Sequence, residues 1–178
     1  MHPPSLAQLW HELGIPADYC AARGLVLHPE ARAADLVTLP QTVDGRPVRL
    51  LPPAAAAWHR LHAAAAHDGI TLLPLSGFRS IARQAELIRA KLAAGEPLAA
   101  ILRVIAAPGC SEHHTGRALD LGSPDDLALD EEFARTHAFH WLTTHAAAQG
   151  FVLSYPPGNS AGITYEPWHW CWHPSAAP

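Results

Sequence analysis

The sequence predicts an α+β fold, a small antiparallel sheet with helices packed mainly on one side. Helical stretches group before and between a few short strand candidates, which are apolar runs near glycine, proline or an Asp-Gly pair. The chain's 178 residues, 49% of them hydrophobic, suit one domain that can bury a sizeable core. Within it, residues 1–50 read as an N-terminal extension packed on a domain spanning 51–178.

Residues 4–22 form a short helical lead, broken at Gly14 and Pro16. Val37-Thr-Leu and Val48-Arg-Leu are strand candidates around the Asp44-Gly45 turn. Residues 54–68 read as a helix that ends before Gly69, since glycine accepts the left-handed conformation at a helix stop. The apolar run 70–75 suits a buried strand. Ser76-Gly-Phe-Arg-Ser80 then turns the chain into a second helix reaching about Ala94, with Ser80 as N-cap. A third, short helix covers 97–105, with proline in its first turn. A loop at 106–109 and an extended piece at 117–121 follow. Asp130-Glu-Glu opens a longer helix that Gly150 ends. Its early acids suit the positive end of the macrodipole, and Phe133, Ala138, Trp141 and Leu142 form its apolar face. Residues 151–155 are strand, and 163–172 return as a strand interrupted at Pro167.

The net charge is −4, from 12 basic and 16 acidic residues with no block of one sign. No basic patch for nucleic acid or an anionic membrane is therefore expected. No apolar stretch approaches the roughly 20 residues that span a bilayer. The start, Met1-His-Pro-Pro-Ser5, lacks the pattern of a secretory signal, so the chain reads as cytoplasmic. Cys20, Cys110 and Cys171 cannot all pair within one chain, and buried free thiols are the expectation. Cys110 and Cys171 each lie beside a motif and could meet in space.

Two segments carry the chemistry, Ser111-Glu-His-His-Thr-Gly-Arg-Ala-Leu-Asp120 and Glu166-Pro-Trp-His-Trp170. Two neutral imidazoles with one carboxylate are the ligand set of a catalytic zinc that keeps a position open for water. A further glutamate, outside the ligand set, is what such a site needs as a general base. Gly116 permits a sharp bend, and on the extended piece after it Ala118 and Asp120 share a face. Ala118 is small and leaves room beneath a metal bound by Asp120. His113 and His114 cannot point the same way if extended, so one of them is expected at the metal. Glu166 and His169 are three apart, which on a regular strand puts them on opposite faces. Pro167 imposes a bulge or a late strand start, which can turn Glu166 towards a metal held by His169. Trp168, Trp170 and Trp172 then alternate to the other side and pack as core. His59 with His62, and His137 with His140, have helical spacing but no carboxylate partner, and read as solvated or half-buried helix residues.

The pattern Ser111-x-His113-x-x-Gly116-x-Ala118-x-Asp120, followed by Glu166-Pro-Trp168-His169, resembles the VanY-type D-alanyl-D-alanine carboxypeptidases. These sit in a wider group of peptidoglycan metallopeptidases that shares a core with VanX dipeptidases and the hedgehog N-terminal domain. Ser76-Gly77-Phe78-Arg79-Ser80 and Gln84 are similar to that family's upstream segment, and the resemblance covers about residues 70–172. It implies one zinc ion held by His113, Asp120 and His169, with Glu166 as catalytic base. It also implies Arg79 over the scissile carbonyl, and Ser111 and Gln84 holding the substrate's terminal group. The implied reaction is removal of the terminal D-alanine, from a D,D- or L,D-bond, of peptidoglycan stem peptides. A periplasmic place of action follows from the resemblance, against the cytoplasmic reading of the bare chain, and a monomer is expected. Other readings on the same scaffold are a D-alanyl-D-alanine dipeptidase, an endopeptidase, or a zinc-containing binding module without turnover. Intact Glu166 and Arg79 speak against the last. A closed structural zinc site needs a fourth protein ligand. Cys171 shares strand parity with His169, but packing beside the site is the expectation.

Overall fold

The structure is a computed structural model that describes residues 4–40 and 43–174. The first three residues of the stretch read for an export signal lie outside the described residues. Helices α1 (Leu6–Leu13) and α2 (Tyr19–Ala22) precede a two-stranded antiparallel ladder, β1 (Val37–Thr38) with β2 (Arg49–Leu50). The chain continues through α3 (Pro52–His67), β3 (Leu73–Ser76), α4 (Ile81–Ala93) and α5 (Leu98–Val104). Then come β4 (Ala118–Gly122), α6 (His137–His145), β5 (Phe151–Leu153) and β6 (His169–Trp172). The larger sheet has the order β3-β4-β6-β5, with every neighbouring pair antiparallel. The fold is α+β, as the grouping of helices and strands predicts.

Alternation along the strands divides this sheet into two functions. Leu119 and Leu121 of β4 and Trp170 of β6 join a core with Trp58 and Leu61 of α3 and Leu142 of α6. Leucine side chains buried to this degree contribute about 1.5–3 kcal/mol each. Ala118 and Asp120, with His169 and Cys171, occupy the alternate positions, and that face carries the polar cluster described below. A second core unites Leu9, Trp10 and Tyr19 of the N-terminal segment with Ile88 of α4 and Ile101 of α5. Trp10 Nε1 donates to the Pro108 carbonyl (2.8 Å), and Tyr19 donates its hydroxyl to that of Leu102 (3.2 Å). These contacts hold the N-terminal helices against the loop that leads into Ser111.

Four local expectations are corrected. The third strand starts at Leu73 rather than at residue 70, because the Ile70 N–H is spent on the Ala65 carbonyl at the end of α3. The long helix after Asp130 is broken. Thr136 takes an extended conformation and caps α6 by accepting the Phe139 N–H, leaving only a short 3₁₀ turn, Glu131–Arg135, before it. The last strand covers only His169–Trp172, since Pro167 offers no N–H and the segment before it is irregular. Finally, Cys20 and Cys110 are joined in a disulfide, their Cα atoms 6.8 Å apart, and only Cys171 is a free, buried thiol. The packing of α2 over the loop at 106–110 brings the pair together across a sequence separation of 90.

Among the described residues, no helix is long and apolar enough to cross a membrane.

Candidate active site

Backbone pairing assembles the first half of the site. Asp120 and His169 are direct cross-strand partners in the β4–β6 ladder, so their side chains leave the sheet on the same face. His113 arrives from a 3₁₀ turn, Glu112–Thr115, closed by Gly116 at φ +67°. A Cβ at Gly116 would lie 2.8 Å from Leu36 Cδ2, so both conformation and space favour glycine here. Ligand atoms of His113, Asp120 and His169 all lie within 4.8 Å of one another, and the three residues are buried.

The kink at Pro167 brings in Glu166. The His169 N–H donates to the Glu166 carbonyl (3.0 Å), closing a tight turn over Pro167 and Trp168. Residues that a regular strand would place on opposite faces thereby meet, with Glu166 Oε2 3.9 Å from His169 Nδ1. Burial is the main cause that pushes the Glu166 carboxyl up to about 7, helped by Asp120 and opposed by His169.

Each imidazole is oriented from behind. His113 Nδ1 lies 2.7 Å from the Gly77 carbonyl, which only accepts, so Nδ1 carries the proton and Nε2 turns to Asp120 Oδ2 at 3.2 Å. Gly77 is required for this approach, since a Cβ there would sit 2.6 Å from the Arg49 carbonyl oxygen. His169 contacts Glu112 through Nε2 (2.9 Å) and Asp120 through Nδ1 (3.0 Å). Burial alone would lower the His169 pKa, but the hydrogen bonds and charges of Asp120 and Glu112 raise it to about 10. Burial likewise opposes ionisation of Glu112, yet His169 outweighs it and holds that carboxyl at about 2. Asp120 is held well below the usual range by the two histidines despite its burial.

A cavity of about 350 Å³ opens beside this cluster, lined by Arg79, Ser111, Tyr155, Glu166 and Trp168 among others. Burial lowers the pKa of Arg79, with Asp120 and Glu166 opposing, and its Nε has no hydrogen-bond partner. Ser111 is buried on the cavity wall. Gln84 is not among the residues lining this cavity. It is fully buried and donates its amide to the Ala106 carbonyl (2.6 Å), a residue of the wall. Of the adjacent histidines, His114 stands apart from the cluster. Its Nε2 accepts the Gly109 N–H (3.0 Å) and its Nδ1 meets the Arg79 carbonyl (2.6 Å), so both ring nitrogens are occupied by backbone. His59, His137 and His140 are exposed and His62 is half-buried. Trp170 packs in the core, and Trp168 and Trp172 are partly buried against it, with Trp168 also reaching the cavity. Two further contributors are Glu112, behind His169, and Tyr155, whose ring centroid lies 4.9 Å from that of His169. Only the position of Glu112 between Ser111 and His113 could have drawn attention to it.

Solved structures of the same fold set the class, a peptidase scaffold. The LdcB LD-carboxypeptidase aligns with a TM-score of 0.72 and 28% identity over 80% of this chain and 69% of that one. A glutamate-to-alanine variant of the vancomycin-resistance D,D-pentapeptidase VanY, in complex with Zn(II), aligns with a TM-score of 0.63 and 27% identity over 85% and 87%. The particular family follows from the sequence: residues 48–175 match the VanY D-alanyl-D-alanine carboxypeptidases, and the chain belongs to that family. YodJ of Bacillus subtilis is 37% identical over 121 residues, 65% of this chain and 43% of YodJ. The chain spans 19–66% of the lengths of the curated relatives it matches.

Proposed function

We propose that this chain is a zinc-dependent carboxypeptidase that removes the terminal D-alanine from peptidoglycan stem peptides. One observation carries the reading. His113 Nε2 and His169 Nδ1 both face the Asp120 carboxylate, at 3.2 and 3.0 Å, while the Gly77 carbonyl and the Glu112 carboxylate hold the far side of each ring. The proton that His169 shares with Asp120 marks the place where a divalent cation would sit instead, drawing on one nitrogen of each ring and on the carboxylate. Two imidazoles and a carboxylate, each steadied from behind, suit zinc. His113, Asp120 and His169 would hold the ion. When bound, zinc supplies Lewis acidity, acidifying water and polarising the scissile carbonyl.

The chain's own residues account for the rest. Glu166 accepts the proton of the attacking water and delivers it to the leaving amine, a task suited to a carboxyl titrating near neutrality. Arg79 carries a permanent charge at the cavity and stabilises the oxyanion as the carbonyl carbon becomes tetrahedral. Ser111 offers its hydroxyl to the substrate's terminal carboxylate, and Gln84 shapes the wall through Ala106. A wider groove of about 860 Å³ shares Arg79 and Asp120 with the cavity and continues past Phe78, Arg49 and Arg83. That continuation supports a substrate longer than a free dipeptide. The test is mass spectrometry of defined muropeptides incubated with the purified protein, with and without chelator. Chelator-sensitive loss of one D-alanine supports the proposal. Cleavage of only free D-alanyl-D-alanine would replace it with a dipeptidase, and no product despite full zinc occupancy with a binding module.

Glu112 serves this centre by fixing the His169 tautomer. Glu112→Ala is expected to weaken zinc binding at the His113–Asp120–His169 cluster by about 10- to 100-fold. Glu112→Gln, which keeps an acceptor for the Nε2 proton, should recover part of that loss. Chelator competition measures both.

A further inference from the structure

The sequence His169-Trp-Cys-Trp-His173 places three metal-binding side chains at alternate positions. His169 belongs to the cluster already described; Cys171 and His173 do not. Cys171 pairs across the ladder with Ala118, whose small side chain leaves space on that face. Glu112 stands between the two groups. A carboxylate oxygen of Glu112, the sulfur of Cys171 and a ring nitrogen of His173 all lie within 4.8 Å of one another. Cys171 is buried, Glu112 half-buried and His173 exposed, so the group opens to solvent at one end. His28 lies beside it, near enough for its charge to act on Glu112 and for that of His173 to act on it. Its backbone is pinned by a hydrogen bond from its N–H to the Gly109 carbonyl (2.8 Å).

We propose that Glu112, Cys171 and His173 form a second metal site, adjoining the His113–Asp120–His169 cluster and linked to it through Glu112. A thiolate with an imidazole and one carboxylate selects zinc or another soft to borderline divalent ion over magnesium or calcium. Three protein ligands would leave one position of a tetrahedral shell to water. The first cluster contains no sulfur, and Cys20 and Cys110 are bonded to each other. Cys171 is therefore the free sulfur available to a metal, and sulfur ligation is a signature of the second site alone.

The experiment is cobalt(II) titration of the chelator-treated full chain, followed by absorption. Two equivalents are expected to bind, one of them bringing an intense near-ultraviolet sulfur-to-cobalt charge-transfer band. Cys171→Ser should lose that band and that equivalent while keeping the other. His173→Ala, at an exposed position, should need more cobalt to reach the same band. Absence of the band at saturation, its persistence in Cys171→Ser, or indifference to His173→Ala would each overturn the proposal. Failure of the first cluster to bind cobalt would leave the band in place, so the two readings are tested separately.

Discussion

Glu166→Gln is expected to lower kcat on a stem pentapeptide by about 10²- to 10⁴-fold, the range for losing a positioned general base, with zinc content unchanged. The reasoning starts from distance and charge. Glu166 lies 3.9 Å from His169 Nδ1 and lines the cavity, yet it stands outside the group of ligand atoms that lie within 4.8 Å of one another. Glutamine has nearly the same shape but cannot accept a proton, so it removes the chemistry and leaves the centre. The sign of the pH dependence follows. Glu166 must be ionised to act, so kcat/KM falls as pH drops through its pKa. Burial sets that pKa at about 7. A divalent cation nearby favours the ionised form, so the acid limb should lie at or below this value in the zinc enzyme. Any residual activity of Glu166→Gln should lose this limb. Loss of zinc from the variant would instead make Glu166 a ligand and end its assignment as base.

The parts of the molecule legible in the sequence are those whose physics is local. Gly116 announces a bend because few other residues adopt its conformation, and the period of two after it puts Ala118 and Asp120 on one face. Pro167 announces a break in a ladder, and the turn there delivers Glu166 to His169. Ser80 caps α4, accepting the Arg83 N–H at 3.0 Å. What stayed illegible depends on neighbours distant in sequence. Cys20 meets Cys110 only because α1 and α2 pack against α4, α5 and the loop at 106–110. Glu112 reaches His169 because residues Glu112–Thr115 coil into a 3₁₀ turn, where an extended reading gives no such direction. Gln84 sits on α4 in a position where only the tertiary packing decides between the cavity and the Ala106 carbonyl. Thr136 was hidden for a different reason. The apolar pattern on either side of it runs on as one helix, and only the hydroxyl's bond to the Phe139 N–H reveals the restart.

His113 and His114 give the sharpest contrast between neighbouring residues. His113→Ala should abolish zinc binding at the first cluster and hydrolysis with it, because two remaining ligands cannot hold the ion against a chelator. His114→Ala should retain zinc, because neither of its ring nitrogens faces the centre: one accepts the Gly109 N–H and the other meets the Arg79 carbonyl. Its cost falls on stability instead. Each buried backbone group left without a partner is worth about 1–3 kcal/mol, so a lowered Tm is expected. Those two backbone contacts also steady the loop before Ser111 and the segment carrying Arg79, so a moderate rise in KM should accompany the loss of stability. Zinc per chain after dialysis, counted in a Cys171→Ser background so that only the first cluster is read, separates the pair. If His114→Ala strips the metal while His113→Ala retains it, the hydrogen bond to Gly77 does not orient a ligand, and the proposed centre must be rebuilt around the other ring.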